Sequence, residues 1–105
     1  MQIHEFQEMM KHLYFKRDSE RGVDGTFSWL VDEVEELGEE LKGKDREATE
    51  KEFADVIAWL ASLANIMEID LEKAALNKYN KKCNNSSSFI HKPPALARFI
   101  TDNNF

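Results

Sequence analysis

Four carboxylates at two regular spacings are the side chains of this sequence best placed to do chemistry. Glu33 and Glu36 lie three residues apart in VDEVEELGEEL, and Glu52 and Asp55 lie three apart in EKEFADVIAW. Three residues span almost one turn of an α-helix, so each pair shares one face if its stretch is helical. Carboxylate oxygens suit Mg²⁺ or Mn²⁺, and Mg²⁺ usually also binds substrate phosphates. The spacing therefore favours a metal site that handles phosphate groups.

The two acidic pairs are expected to meet across a helical hairpin. KGKD interrupts the apolar periodicity, and a hairpin that turns near Lys44 sets residues equally far from the turn side by side. The pairs brought level are Glu33 with Asp55, Glu36 with Glu52, and Trp29 with Trp59. Carboxylates packed together repel, and burial adds a desolvation cost, so protons or a divalent cation must neutralise them. The alternative is that they are rim charges paired with Lys42, Lys44 or Arg46.

A helical wheel separates these acids from ordinary surface charges. An apolar seam is expected to face the core, and it consists of Leu30, Val34, Leu37 and Leu41. The acids on the far side, expected in solvent, are Asp32, Glu35 and Glu39. Glu33 and Glu36 instead fall along one flank of the seam.

Apolar periodicity predicts an all-α fold, an up-and-down antiparallel bundle of about four helices. The first helix starts near Ile3 and ends near Tyr14, and a polar loop, KRDSERGVDG, follows it. Thr26 or Ser28 is expected to cap a second helix. Asp45 is expected to cap a third helix that reaches about Met67, and Asp70 a fourth, LEKAALNKYNKKC.

The domain is expected to span residues 1–83, followed by a loosely attached polar tail over 84–105. The second half of the third helix, VIAWLASLANIM, is apolar nearly all round. A small bundle covers such a helix poorly, which predicts a homo-oligomer, a dimer or a tetramer.

Charge and composition argue against several classes of partner and of site. The net charge of −6 argues against binding to nucleic acid or to anionic membranes. No apolar run is long enough for a membrane span, and no signal peptide is expected. The single cysteine, Cys83, excludes an internal disulfide, and a reducing cytoplasm is the expected compartment. A di-iron bundle needs Glu-x-x-His pairs, whereas the histidines lie outside both acidic motifs.

At this point the sequence resembles a known family. LVDEVEELGEEL, KEFADVIAWL and IDLEKAALNKYNKK resemble the MazG-like nucleoside triphosphate pyrophosphohydrolases, all-α proteins in a superfamily with dimeric dUTP pyrophosphatases and dCTP pyrophosphatases. The family pattern is ExxE, a gap of a dozen or more residues, then ExxD. The resemblance covers residues 3–83. It departs from the family where DEVEEL replaces EEVGEL, and where Lys82 stands at a position that is asparagine in several relatives.

The resemblance implies an enzyme that splits a nucleoside triphosphate between the α and β phosphorus atoms, releasing a nucleoside monophosphate and pyrophosphate. The implied ligands of Mg²⁺, or of Mn²⁺, are Glu33, Glu36, Glu52 and Asp55. Glu36 is the implied residue that orients or deprotonates the attacking water. Lys78, together with Lys81 or Lys82, would neutralise the phosphate chain, and Trp59 would line the nucleoside pocket.

Two alternatives stay open on the sequence. One is an enzyme like phosphoribosyl-ATP pyrophosphohydrolase, which holds its metal with carboxylates in the same way. The other is a non-catalytic helical module whose acidic flank binds a basic partner. In the second case single carboxylates would be dispensable, and magnesium would not change the stability of the protein.

Overall fold

The computed structural model of the chain describes residues 1–79, and this range contains three helices and no strand. Helix α1 spans Ile3–Glu40, α2 spans Arg46–Ile66 and α3 spans Leu71–Tyr79. The chain divides into two compact units, Met1–Leu71 and Glu72–Phe105. Lys82, Cys83 and the predicted tail lie outside the described residues. Among those that are described, no helix has the length and apolarity needed to cross a bilayer.

The all-α prediction is confirmed, but the predicted polar loop after Tyr14 is wrong. Residues of KRDSERGVDG continue the helix, so the first two predicted helices form the single element α1. Only Gly22 leaves helical geometry, at φ 85° and ψ 174°, and it kinks α1 there. Lys, Arg and Glu are good helix formers, so this stretch needs no apolar periodicity to stay helical. The described residues therefore hold three helices where the sequence predicts four.

Helices α1 and α2 pack together as a hairpin closed by a short turn. Asp45 caps α2 as predicted, since its Oδ1 accepts a hydrogen bond of 3.1 Å from the backbone N–H of Ala48. The other end of α2 is Ile66, close to the predicted Met67. Thr26 and Ser28 are not caps, because α1 runs through both positions.

The predicted core seam is only half correct. Leu30 and Leu37 are half-buried, whereas Val34 is 47% exposed and Leu41 is 37% exposed. Helix α1 is rotated relative to the prediction, so that Glu33 faces inward between the helices while Val34 faces outward. The three acids expected in solvent, Asp32, Glu35 and Glu39, are all exposed, as predicted.

Most large apolar side chains of the hairpin are exposed in the single chain rather than buried. Within the described range, the buried apolar residues are only Met10, Ala61 and Ala64. Large exposed side chains at spacings of three and four residues instead line one side of both helices. We call this set the apolar face: Phe27, Val31, Val34, Phe53, Ile57 and Leu60.

A reciprocal pair of amides joins the start of α1 to the end of α2. The Gln7 side chain donates to Asn65 Oδ1 at 3.0 Å and to the carbonyl of Ile69 at 2.7 Å. Asn65 donates back to the Gln7 carbonyl at 3.1 Å, and the Leu71 N–H donates to Gln7 Oε1 at 2.9 Å. Both amides are buried, so this Gln7 latch satisfies polar groups that would otherwise be costly inside the protein.

Candidate active site

The four predicted carboxylates gather on the facing sides of α1 and α2, and we call them the acidic cluster: Glu33, Glu36, Glu52 and Asp55. One oxygen each of Glu33, Glu36 and Glu52 lie within 4.8 Å of one another. Asp55 is outside this tight triad, but it is close enough for its charge to raise the pKa of Glu33 and Glu52. The hairpin therefore brings the two sequence motifs together.

Glu33 and Glu52 form the inner part of the acidic cluster. Both residues are half-buried, and the Oε2 atom of each is buried with no hydrogen-bond partner among the described residues. Burial, and then the negative charge of Glu36, raises the pKa of Glu33 to about 7. Burial, followed by the charges of Glu36 and Asp55, also raises the pKa of Glu52. The causes of both pKa shifts are burial and neighbouring negative charges, so Glu33 and Glu52 lack a cation to neutralise them.

Glu36 and Asp55 form the outer part, and both are exposed. The cluster thus has buried oxygens without partners at its base and accessible carboxylates at its rim. A hard divalent cation fits this set of donors, because it would satisfy the orphaned oxygens and offset the repulsion between them.

The nearby basic residues do not fill that role. Lys42, in the turn after α1, pairs with Glu39 at 3.2 Å, and Arg46 lies 3.7 Å from Glu50 of its own helix, so both are engaged by exposed acids close to them in sequence. No ion pair among the described residues joins Lys42, Lys44 or Arg46 to the acidic cluster, so the alternative in which they neutralise it has no support there.

Two indoles lie one helical turn from the acidic cluster. Trp29 and Trp59 stack with ring centres 5.5 Å apart and planes 8° apart. Trp29 precedes Glu33 by four residues and Trp59 follows Asp55 by four, so the stack sits at the same level on both helices. The pairing expected for a hairpin that turns near Lys44 is the one observed.

A cavity of about 320 Å³ adjoins the acidic cluster at Asp55. Its walls come from α2 and from the part of α1 that precedes the kink, and include Tyr14, Arg17, Asp18, Arg21, Trp59 and Ser62. Aromatic surface combined with a few polar groups is typical of sites for small organic ligands.

An ion pair in the cavity wall is the part of the site that the sequence patterns missed. Arg21 Nη1 donates to Asp18 Oδ1 at 2.8 Å and to Thr26 Oγ1 at 3.3 Å. Asp18 and Thr26 are 2% and 0% exposed, and they are the largest fully buried side chains among the described residues. Asp18 and Arg21 fall in the stretch predicted to be a loop, and Thr26, directly after it, was predicted to be a helix cap. The available signal was the D-x-x-R spacing, which puts Asp18 and Arg21 on one helical face.

Two lysines, Lys78 and Lys82, are predicted to bind the phosphate chain. Lys78 is in α3, in the second compact unit, where its Nζ lies 5.3 Å from the ring centre of Tyr79. Its role as a phosphate ligand stays a prediction, and so does that of Lys82.

The sequence of the chain matches a known protein family. Residues 21–87 match the sequence model of the MazG nucleotide pyrophosphohydrolase domain, which is more than half of the chain. The match includes the acidic cluster, both tryptophans, Arg21 and α3. No curated protein matches the chain. Enzymes of this family typically depend on a divalent metal, in agreement with the chemistry of the acidic cluster. The chain therefore belongs to the MazG nucleotide pyrophosphohydrolase family.

Proposed function

We propose that this protein is a Mg²⁺-dependent hydrolase that cleaves a nucleoside triphosphate between the α and β phosphates. The products are a nucleoside monophosphate and pyrophosphate. The observation that carries the proposal is the triad of carboxylate oxygens from Glu33, Glu36 and Glu52 within 4.8 Å. Such a triad, next to a cavity with aromatic walls, supports phosphate chemistry on a nucleotide.

The residues that would hold the metal are those of the acidic cluster. Buried oxygens on Glu33 and Glu52 have no other partner in the described part of the chain, so they suit this purpose. When bound, Mg²⁺ supplies positive charge that offsets the repulsion between the acidic protein and the phosphates. Mn²⁺ takes similar oxygen ligands and is the expected substitute.

Glu36 is the proposed residue that handles the attacking water. It is exposed at the rim of the acidic cluster, where a carboxylate can accept a hydrogen bond from water and then its proton. The water oxygen forms a bond to phosphorus as the P–O–P bridge breaks, and the proton passes to the carboxylate. The bridging oxygen leaves with the departing group.

The cavity beside Asp55 is the proposed nucleoside site. Trp59 lines it, and a volume of about 320 Å³ suits a ligand of that size. Lys78 and Lys82 are proposed to neutralise charge on the phosphate chain.

A second copy of the chain is the proposed cover of the apolar face. Phe27 and Phe53 are both 55% exposed, whereas the buried apolar residues of the described range are one methionine and two alanines. So little buried apolar surface cannot offset the entropy lost on folding, and association of two such faces would bury the remainder. Dimer and tetramer both satisfy this requirement.

The decisive experiment is a panel of nucleoside triphosphates assayed for pyrophosphate release with Mg²⁺ and with a chelator. Release that requires Mg²⁺ and is abolished by Glu36→Gln supports the proposal, with Glu35→Gln as the matched surface control. Activity on phosphoribosyl-ATP alone would favour that related enzyme class. Absence of turnover on every substrate, with no effect of Mg²⁺ on stability, would favour an acidic interaction module.

A further inference from the structure

Arg21 is held in a defined position by groups inside the protein. Its Nη1 donates to the side chains of Asp18 and Thr26, which are almost completely buried. The Arg21 side chain itself is 25% exposed. One end of the guanidinium is thus anchored in the interior while the rest stays reachable from the cavity.

The stem and the flat face of Arg21 are positioned as well. A Cβ atom on Gly25 would lie 2.8 Å from Cγ of Arg21, so glycine is needed there for the stem to follow its path. The guanidinium carbon lies 4.7 Å from the ring centre of Trp59, in cation–π contact. Arg21 is therefore preorganised before any ligand arrives.

This anchoring leaves one edge of the guanidinium available. Nη1 is engaged, whereas Nε and Nη2 make no hydrogen bond with any residue in the described range. The N–H groups of Nε and Nη2 point in parallel along one edge, which is the arrangement that binds two adjacent acceptors at once. A lysine at this position would keep the charge but lose that geometry.

The place of this edge relative to the acidic cluster decides which part of a nucleotide it meets. Thr26, which Arg21 contacts, precedes Glu33 by seven residues, about two turns or roughly 10 Å along the helix. That distance is comparable to the length of a nucleoside. If the phosphates lie at the acidic cluster, as the proposed function requires, the base reaches the neighbourhood of Arg21.

The geometry points to Arg21 as the residue that selects the nucleobase, through two parallel N–H donors. Guanine offers two adjacent acceptors at O6 and N7, the commonest partner of arginine, and cytosine offers two at N3 and O2. Adenine and uracil place a donor beside each acceptor on the corresponding edges. The enzyme should therefore prefer cytidine and guanosine triphosphates to adenosine and uridine triphosphates.

The test compares wild type, Arg21→Lys and Gly25→Ala, with Lys16→Gln as a control for an exposed charge on the same segment. Each protein is assayed on the four nucleoside triphosphates and on ribose 5′-triphosphate, which has no base. We expect wild type to favour the cytidine and guanosine substrates by roughly tenfold in kcat/KM. Arg21→Lys and Gly25→Ala should level the four rates, and their loss of kcat/KM on the cytidine and guanosine substrates should exceed any loss on the base-free substrate by roughly tenfold.

Two results would overturn the assignment. Equal loss on the base-free substrate in Arg21→Lys would place the guanidinium on phosphate, and a wild-type preference for adenosine or uridine substrates would contradict the donor pattern. Quenching of tryptophan fluorescence by each nucleotide gives a binding readout that is independent of turnover. Selective binding without hydrolysis would overturn the proposed function alone, and hydrolysis without selectivity would overturn only the role of Arg21.

Discussion

Trp29 of α1 and Trp59 of α2 stack in parallel, with ring centres 5.5 Å apart. Each indole stands four residues from a carboxylate of its own helix, Glu33 in one case and Asp55 in the other. A slip of the hairpin by one turn would separate both pairs together. The stack therefore reports the register on which the acidic cluster depends.

Removal of a single rim carboxylate should abolish turnover without unfolding the protein. In Glu36→Gln and Asp55→Asn the volume of the side chain is kept and one negative charge is lost. We expect pyrophosphate release to fall by at least about 100-fold, because Glu36 is the proposed general base and Asp55 a proposed metal ligand, while the helical circular dichroism signal stays unchanged. Undiminished release by either variant would refute its assignment.

The metal-free protein should lose stability as pH rises from about 4.5 to 7. The folded pKa of Glu33, about 7, lies above its ordinary value of 4.5, so folding favours the protonated form. This contribution is fully present below pH 4.5 and disappears as pH passes 7, and the raised pKa of Glu52 acts in the same direction. The melting temperature measured in chelator should fall across this range.

Glu33→Gln provides the control for that pH dependence. An amide has no proton to lose here, so the decline should be shallower and the variant more stable than wild type at pH 7.5 without metal. Equal slopes for the two proteins would show that Glu33 does not carry the effect.

Magnesium should raise the melting temperature of wild type at neutral pH. A ligand that binds only the folded state stabilises it by about 2.7 kcal/mol at one hundred times its Kd. Glu52→Gln should weaken this response, because Glu52 contributes one of the buried oxygens without a partner. Glu39→Gln, at an exposed position outside the cluster, should respond as wild type does.

A charge placed on the apolar face should disrupt assembly. Ile57 is 43% exposed in the single chain, so Ile57→Glu has no reason to unfold the hairpin by itself. In an oligomer it would bury an unpaired carboxylate, which is strongly unfavourable. Light scattering coupled to size-exclusion chromatography should show a smaller particle than wild type. The matched control is Met9→Glu, which places the same charge at an apolar residue that is 39% exposed and lies outside the apolar face.

Gly22→Ala should destabilise the protein by about 1–3 kcal/mol, because φ 85° and ψ 174° are accessible almost only to glycine. No atom lies within 4 Å of the added Cβ, so the cost would come from the backbone rather than from a clash. Urea denaturation measures the change. The control is Ser19→Ala, at an exposed helical position three residues before the kink, which should be neutral or slightly stabilising. If Gly22→Ala were as stable as wild type, the argument for strain at Gly22 would be wrong.

The helices and the meeting of the acidic pairs follow from local patterns. Spacings of three and four residues fix which side chains share a face, and a short turn capped by Asp45 fixes which residues come level. The Trp29–Trp59 stack agrees with that reasoning to the residue.

The exposure of Val34 and the burial of Asp18 and Thr26 were not predicted from the sequence. The wheel placed Val34 in the core because apolar residues are usually buried, whereas it is 47% exposed here. The fully buried residues on either side of the kink are the polar Asp18 and Thr26. Both accept hydrogen bonds from the guanidinium of Arg21. A polar stretch with two glycines looks like a loop when its ion pairs are unknown.

The recognisable part of the sequence and the part that must be present for folding have different limits. The family match begins at residue 21, yet Gln7 fastens the end of α2 and Asp18 anchors Arg21. A protein trimmed to residues 21–87 would keep every carboxylate of the acidic cluster and lose both supports. Loss of function in such a fragment would then report a missing scaffold, not a missing ligand.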